Sequence, residues 1–91
     1  MSVTVINGFI EAGRIRLGMT KADVRVLLGP PDQWGCTSRR YREPSIWKYG
    51  EVEFWFEKHR RRIPWPGPNL VGVYVEDAGH QDGKMLLGGA G

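Results

Sequence analysis

The stretch from Leu17 to Pro31, Leu-Gly-Met-Thr-Lys-Ala-Asp-Val-Arg-Val-Leu-Leu-Gly-Pro-Pro, constrains this chain more than any other, because it writes out a helix with both of its ends. Thr20 and Asp23 have the spacing of a capping box, with Asp in place of Glu or Gln. The hydroxyl can accept from a first-turn N–H while the carboxylate sits at the positive helix end. Val24, Leu27 and Leu28 fall at i, i+3 and i+4, so one apolar stripe faces a core. Gly29 is placed for the left-handed C-terminal position, and Pro30-Pro31 cannot continue the helix. The segment specifies architecture and offers no nucleophile, base or metal ligand.

Around it the apolar pattern changes period. Val5, Ile6, Phe9 and Ile10 follow helical spacing and predict a first helix over about residues 4–12, ended by Gly13. Asp32 to Pro44 has no sustained period and reads as a long loop. Ile46 to Glu57 has the alternation and aromatic content of a hairpin, turning at Tyr49-Gly50-Glu51. Val52, Phe54 and Phe56 share one face of its second strand, leaving Glu51, Glu53, Trp55 and Glu57 opposite. Three prolines make Lys58 to Pro68 a loop. Leu70 to Glu76 forms a third strand, with Leu70 and Gly72 alternating against Val71, Val73 and Val75. Gly-rich composition after Asp77 predicts a flexible tail over 77–91. The expected fold is α+β: one domain over 1–76, two short N-terminal helices packed on one face of a three-stranded antiparallel sheet.

Several of these residues also resemble a known pattern. Leu17-Gly18-Met19-Thr20, Asp23-Val24, Leu27-Leu28-Gly29-Pro30-Pro31-Asp32 and Trp47-Lys48-Tyr49 look like the signature of the SmpA/OmlA type of small outer-membrane lipoprotein, whose members assist β-barrel assembly. The β-lactamase inhibitor protein has a similar architecture in duplicate. The resemblance spans roughly residues 15–56. Those lipoproteins carry a signal peptide and a lipidated cysteine near the mature N-terminus, whereas the single cysteine here is Cys36. What the resemblance implies is therefore a scaffold that presents a sheet to a protein partner, as inhibitors and immunity proteins of related shape do.

Composition narrows the chemistry. One cysteine excludes an internal disulfide and a multi-thiolate zinc site. No apolar run is long enough to span a bilayer, and the first residues lack a basic n-region and an h-region, so a cytoplasmic protein is expected. Cys36 has no histidine close in sequence to act as its base, and His59 lies between Lys58 and Arg60. His80 falls in the expected tail. These positions make no metal-ligand spacing, and Gly88-Gly89-Ala90-Gly91 precedes no helix that could cradle a phosphate. The expectation is no enzyme, no cofactor and no metal.

Two surface features remain. Lys58-His-Arg-Arg-Arg62, followed by Trp65, is a solvated hairpin tip, a site for an acidic protein, or a site for nucleic acid, which Arg39, Arg40 and Arg42 would extend. The net charge of +3 is too small to choose among these. If Val52, Phe54 and Phe56 pack under the helices, Trp55 projects from the other face and Tyr74 joins it. That aromatic surface is covered by the Trp65 loop, by Met85-Leu86-Leu87, or by a partner. Glu51, Glu53 and Glu57 read as a charge device against sheet aggregation or as partners of Arg60–Arg62. The sequence thus predicts a protein-binding domain using Trp55, Tyr74, Arg60, Arg61 and Trp65, with nucleic-acid binding as the alternative.

Overall fold

In the computed structural model, residues 3–35, 45–58, 67–77 and 80–88 are described, with 76–77 and 80–84 described in backbone only. Helix α1 (Val3–Glu11) buries Ile6, and Val3, Phe9 and Ile10 pack against the same core. Val5, expected on that stripe, is instead 44% exposed, and Val3, one turn before Ile6, packs against the core. The helix ends in a Schellman arrangement: the Gly13 N–H donates to Ile10 and the Arg14 N–H to Phe9.

Helix α2 (Lys21–Leu28) has the full reciprocal cap. The Asp23 N–H donates to the Thr20 hydroxyl at 3.3 Å, and the Thr20 N–H donates to the Asp23 carboxylate at 3.0 Å. Val24 and Leu28 are buried and Leu27 packs at the core margin. Gly29 differs from the expectation. Its φ of 80° is positive, but its ψ of −169° is extended, a combination open essentially to glycine alone. The helix still closes, because the Gly29 N–H donates to Arg25 at 2.8 Å.

The expected three-stranded sheet is corrected to five strands in the order β1-β2-β3-β4-β5, antiparallel throughout; the α+β class holds. Strand β1 (Gln33–Gly35) falls in the segment expected to be a loop. Strand β5 (His80–Gly88) runs through the segment expected to be a tail. Both are edge strands whose backbone groups find partners on a neighbour, and such pairing overrides weak local propensity. Strands β2 (Ile46–Tyr49) and β3 (Val52–Phe56) form the expected hairpin. Gly50 takes a φ of 63° at the first central turn position, as a two-residue turn with glycine leading requires. Asp32 ties that turn down by accepting the Gly50 N–H at 2.7 Å.

Strand β4 (Leu70–Asp77) carries a second correction. A register shift at Trp55/Phe56 leaves Val71 without a direct opposite, since Phe56 faces Leu70 and Trp55 faces Gly72. The extra residue flips the alternation. Leu70 and Val73 are both buried in the core, and Val71 is 46% exposed. The linker between the helices completes the near end of this strand: the Gly18 N–H donates to Leu70, and the Leu70 N–H donates to Met19.

One core results, built from Ile6, Ile15, Met19, Val24 and Leu28 above and Trp47, Tyr49, Val52, Phe54, Phe56, Leu70 and Val73 on one sheet face. Edge-to-face pairs, Trp47 with Phe56 and Tyr49 with Phe54, run diagonally between β2 and β3 with centroids 5.2 and 5.3 Å apart. Lys21 is buried here too, its ammonium 5.5 Å from both the Trp47 and Phe56 ring centroids. Trp34, by contrast with Trp47, is 65% exposed on β1.

Candidate functional site

The face of the sheet away from the helices is built by strand alternation. Because successive side chains point to opposite sides, burial of Val52, Phe54 and Phe56 forces Glu53 and Trp55 outward. The register then assembles two cross-strand rows. One runs Gly35, Ile46, Trp55, Gly72, Gly88 and the other Gln33, Lys48, Glu53, Tyr74, Met85.

Trp55 and Tyr74 meet on the diagonal between these rows, centroids 5.6 Å apart and planes at 69°. Gly72 makes this contact possible. A Cβ there would lie 2.8 Å from Tyr74 Cε2 and 3.1 Å from its oxygen, so the tyrosine ring occupies the space a side chain would fill. The Trp55 indole N–H donates to Glu53 Oε1 at 3.4 Å, and Lys48 Nζ lies 4.0 Å from the other Glu53 oxygen. Lys58 Nζ sits 5.7 Å from the Trp55 ring centroid. Met85, 54% exposed, borders Tyr74 on β5.

Of the residues singled out from sequence, the structure therefore brings Trp55 and Tyr74 into contact on one face. Arg60, Arg61 and Trp65 lie outside the described residues, as do Cys36, Arg39, Arg40, Arg42, His59 and Arg62. His80 is described only in its backbone. Lys48 entered the sequence reading only through the family resemblance, whereas Lys58 headed the basic run and Met85 stood among the residues considered as cover for the aromatic surface. The place of Lys48 opposite Glu53 follows from the hairpin alternation; the pairing of Met85 with Tyr74 does not, because its strand was expected to be a tail. The reading of the three glutamates as an edge device fails, since β3 is the central strand and Glu53 is engaged by Lys48 and Trp55.

Of the segments considered as cover for Trp55, Leu86 and Leu87 pack against the core, Met85 pairs with Tyr74 and is 54% exposed, and the Trp65 loop lies outside the described residues. Among the described residues no helix is long and apolar enough to cross a membrane, and no three His, Cys, Asp or Glu side chains cluster. The arrangement can bind through apolar and charged contacts; among the described residues of this face none pairs a nucleophile with an oriented base. No family model, no curated protein and no solved structure matches this chain.

Proposed function

We propose that this chain is a non-catalytic cytoplasmic domain that binds another protein through the open face of its sheet, on a scaffold of the SmpA/OmlA kind. The reading is supported by one observation above the others: the Trp55–Tyr74 pair stands half-buried on a face over which no described element packs. Tryptophan and tyrosine bring large area at low entropic cost and dominate protein interfaces. Glu53 and Lys48 beside them form the polar rim such a patch carries.

The test is placement of a photo-crosslinking amino acid at Met85 on the open face and, as a control, at Val26, which is 85% exposed on the helical side. In extracts of the native source, a protein adduct should form from position 85, disappear with Trp55→Ala and Tyr74→Ala together, and be absent from position 26. Equal capture at both positions, or none at 85, would overturn the reading.

A further inference from the structure

The open face carries both signs of charge, interleaved. Glu51, Glu53 and Glu57 alternate along β3 and its two ends, with Lys48 on β2 and Lys58 beside Trp55. A face of one sign repels its own copy, whereas a mixed face can be complementary to itself. The register shows where that complementarity lies. On β2 and β3, Ile46 stands beside Trp55 in one row and Lys48 beside Glu53 in the next. A twofold axis lying between these two strands and parallel to them exchanges the two positions within each row. In a second copy laid face to face on the first, Ile46 meets the copy's Trp55 and Lys48 meets the copy's Glu53. Each contact is made twice. Lys58 and Glu57 mark one end of this contact and Glu51 the other.

We infer that the open face pairs with the same face of a second copy of this chain, Ile46 against Trp55 and Lys48 against Glu53 across a twofold axis. The inference rests on the protein-binding reading above and names the partner. Ile46 and Trp55 are half-buried in one copy, so both still have apolar surface to withdraw from water. The Lys48 and Glu53 side chains are only 26% and 25% exposed, so much of their hydration is already lost. A second opposite charge then adds attraction at little further desolvation cost. Tyr74 falls at the margin, over the copy's β1. Five strands ~4.8 Å apart make a face only ~19 Å across. That is the small end of specific interfaces, so the dimer should dissociate at roughly micromolar concentration.

Sedimentation of the purified full chain across the micromolar range tests this, and a dimer should appear toward its upper end. Lys48→Glu and Glu53→Lys each set like charges against each other between copies. Either variant alone should therefore dissociate about tenfold more readily or worse. Mixed in equal amounts, the two variants regain both opposite-charge contacts and should form a heterodimer. This crossed rescue separates contact between copies from loss of the Lys48–Glu53 pair within one chain, which mixing cannot repair. Trp55→Ala, with an unchanged melting profile, should also leave a monomer. A parent chain that stays monomeric, a dimer indifferent to these substitutions, or charge variants that stay apart when mixed would overturn the second copy as partner. In that event a protein adduct from position 85 in extracts, lost with Trp55→Ala and Tyr74→Ala, leaves the protein-binding reading standing, and its absence overturns both.

Discussion

The Tyr49 hydroxyl donates a 2.9 Å hydrogen bond to the Gly29 carbonyl, fastening the end of α2 to the core side of β2. Burial pushes the Tyr49 phenol well above its ordinary value of 10.0; Arg25 opposes the rise and Asp32 adds to it. The folded state therefore holds this proton more tightly than the unfolded chain does. Its contribution to stability is present in full below pH 10.0 and is lost as pH climbs from there toward the folded value. Urea unfolding should show a decline above pH 10.0, approaching about 1.4 kcal/mol per pH unit from this one group. Tyr49→Phe should cost about 1 kcal/mol at neutral pH and remove this part of the decline. A decline of unchanged size in the variant would assign it to other groups.

Thr20 and Asp23 each satisfy the other's backbone N–H. Thr20→Ala should lower stability by about 1 kcal/mol, and Asp23→Ala by a similar or smaller amount. Because the bonds are reciprocal, the double variant should lose less than the sum of the singles, which a double-mutant cycle by denaturant unfolding would measure.

Two facing glycines should respond very differently to the same methyl group. At Gly72 the added carbon meets the Tyr74 ring, a side chain that can swing away, so Gly72→Ala should change stability by about 1 kcal/mol or less. The rearrangement should appear in the Trp55 fluorescence and near-ultraviolet dichroism. At Gly88 the carbon meets backbone, Gly72 Cα and the Val71 carbonyl oxygen, both at 2.7 Å, and φ is +112°. Gly88→Ala should cost about 1–3 kcal/mol and loosen the β4–β5 pairing, read as faster amide exchange along Leu86 and Leu87.

Phe54 and Val26 mark the two extremes of burial. Phe54 is fully buried at the middle of the core, and Phe54→Ala should cost about 3–5 kcal/mol. That is a large part of the stability of a domain this size. Val26→Ala, on the exposed side of α2, should stay within about 0.5 kcal/mol of the parent in the same measurement.

What the sequence revealed depended on how many residues each signal used. The cap, stripe and stop of α2 occupy a dozen consecutive positions, and all three agree with the structure except for the ψ of Gly29. The β2–β3 alternation is equally explicit, and from it follows the outward direction of Trp55. Strand β1 has three residues, too few for any alternation to register. Strand β5 contains Gly83 and Gly88, which mimic a tail until the pairing partner is known. The bulge at Val71 escapes because a run of alternating valines reads the same with or without one inserted residue. At the open face, the contact of Lys58 with Trp55 escapes because a residue beyond a strand end carries no periodic signal of the side it will take.

The backbone bonds between the Gly18–Met19 linker and Leu70 have a consequence for how the chain is assembled during synthesis. The helical segment emerges from the ribosome long before residue 70 does, and its linker must wait with its hydrogen-bonding groups in water. Only when β4 appears can those groups close on Leu70, while Thr20 forms an isolated bridge with Asn69. The two ends of this contact are far apart in sequence, so closing it is entropically slow and comes late. Until then the nascent helices have only β1 to β3 to settle on, without Leu70 and Val73 to complete the core, which makes this interval the one in which the chain most needs shelter from its neighbours.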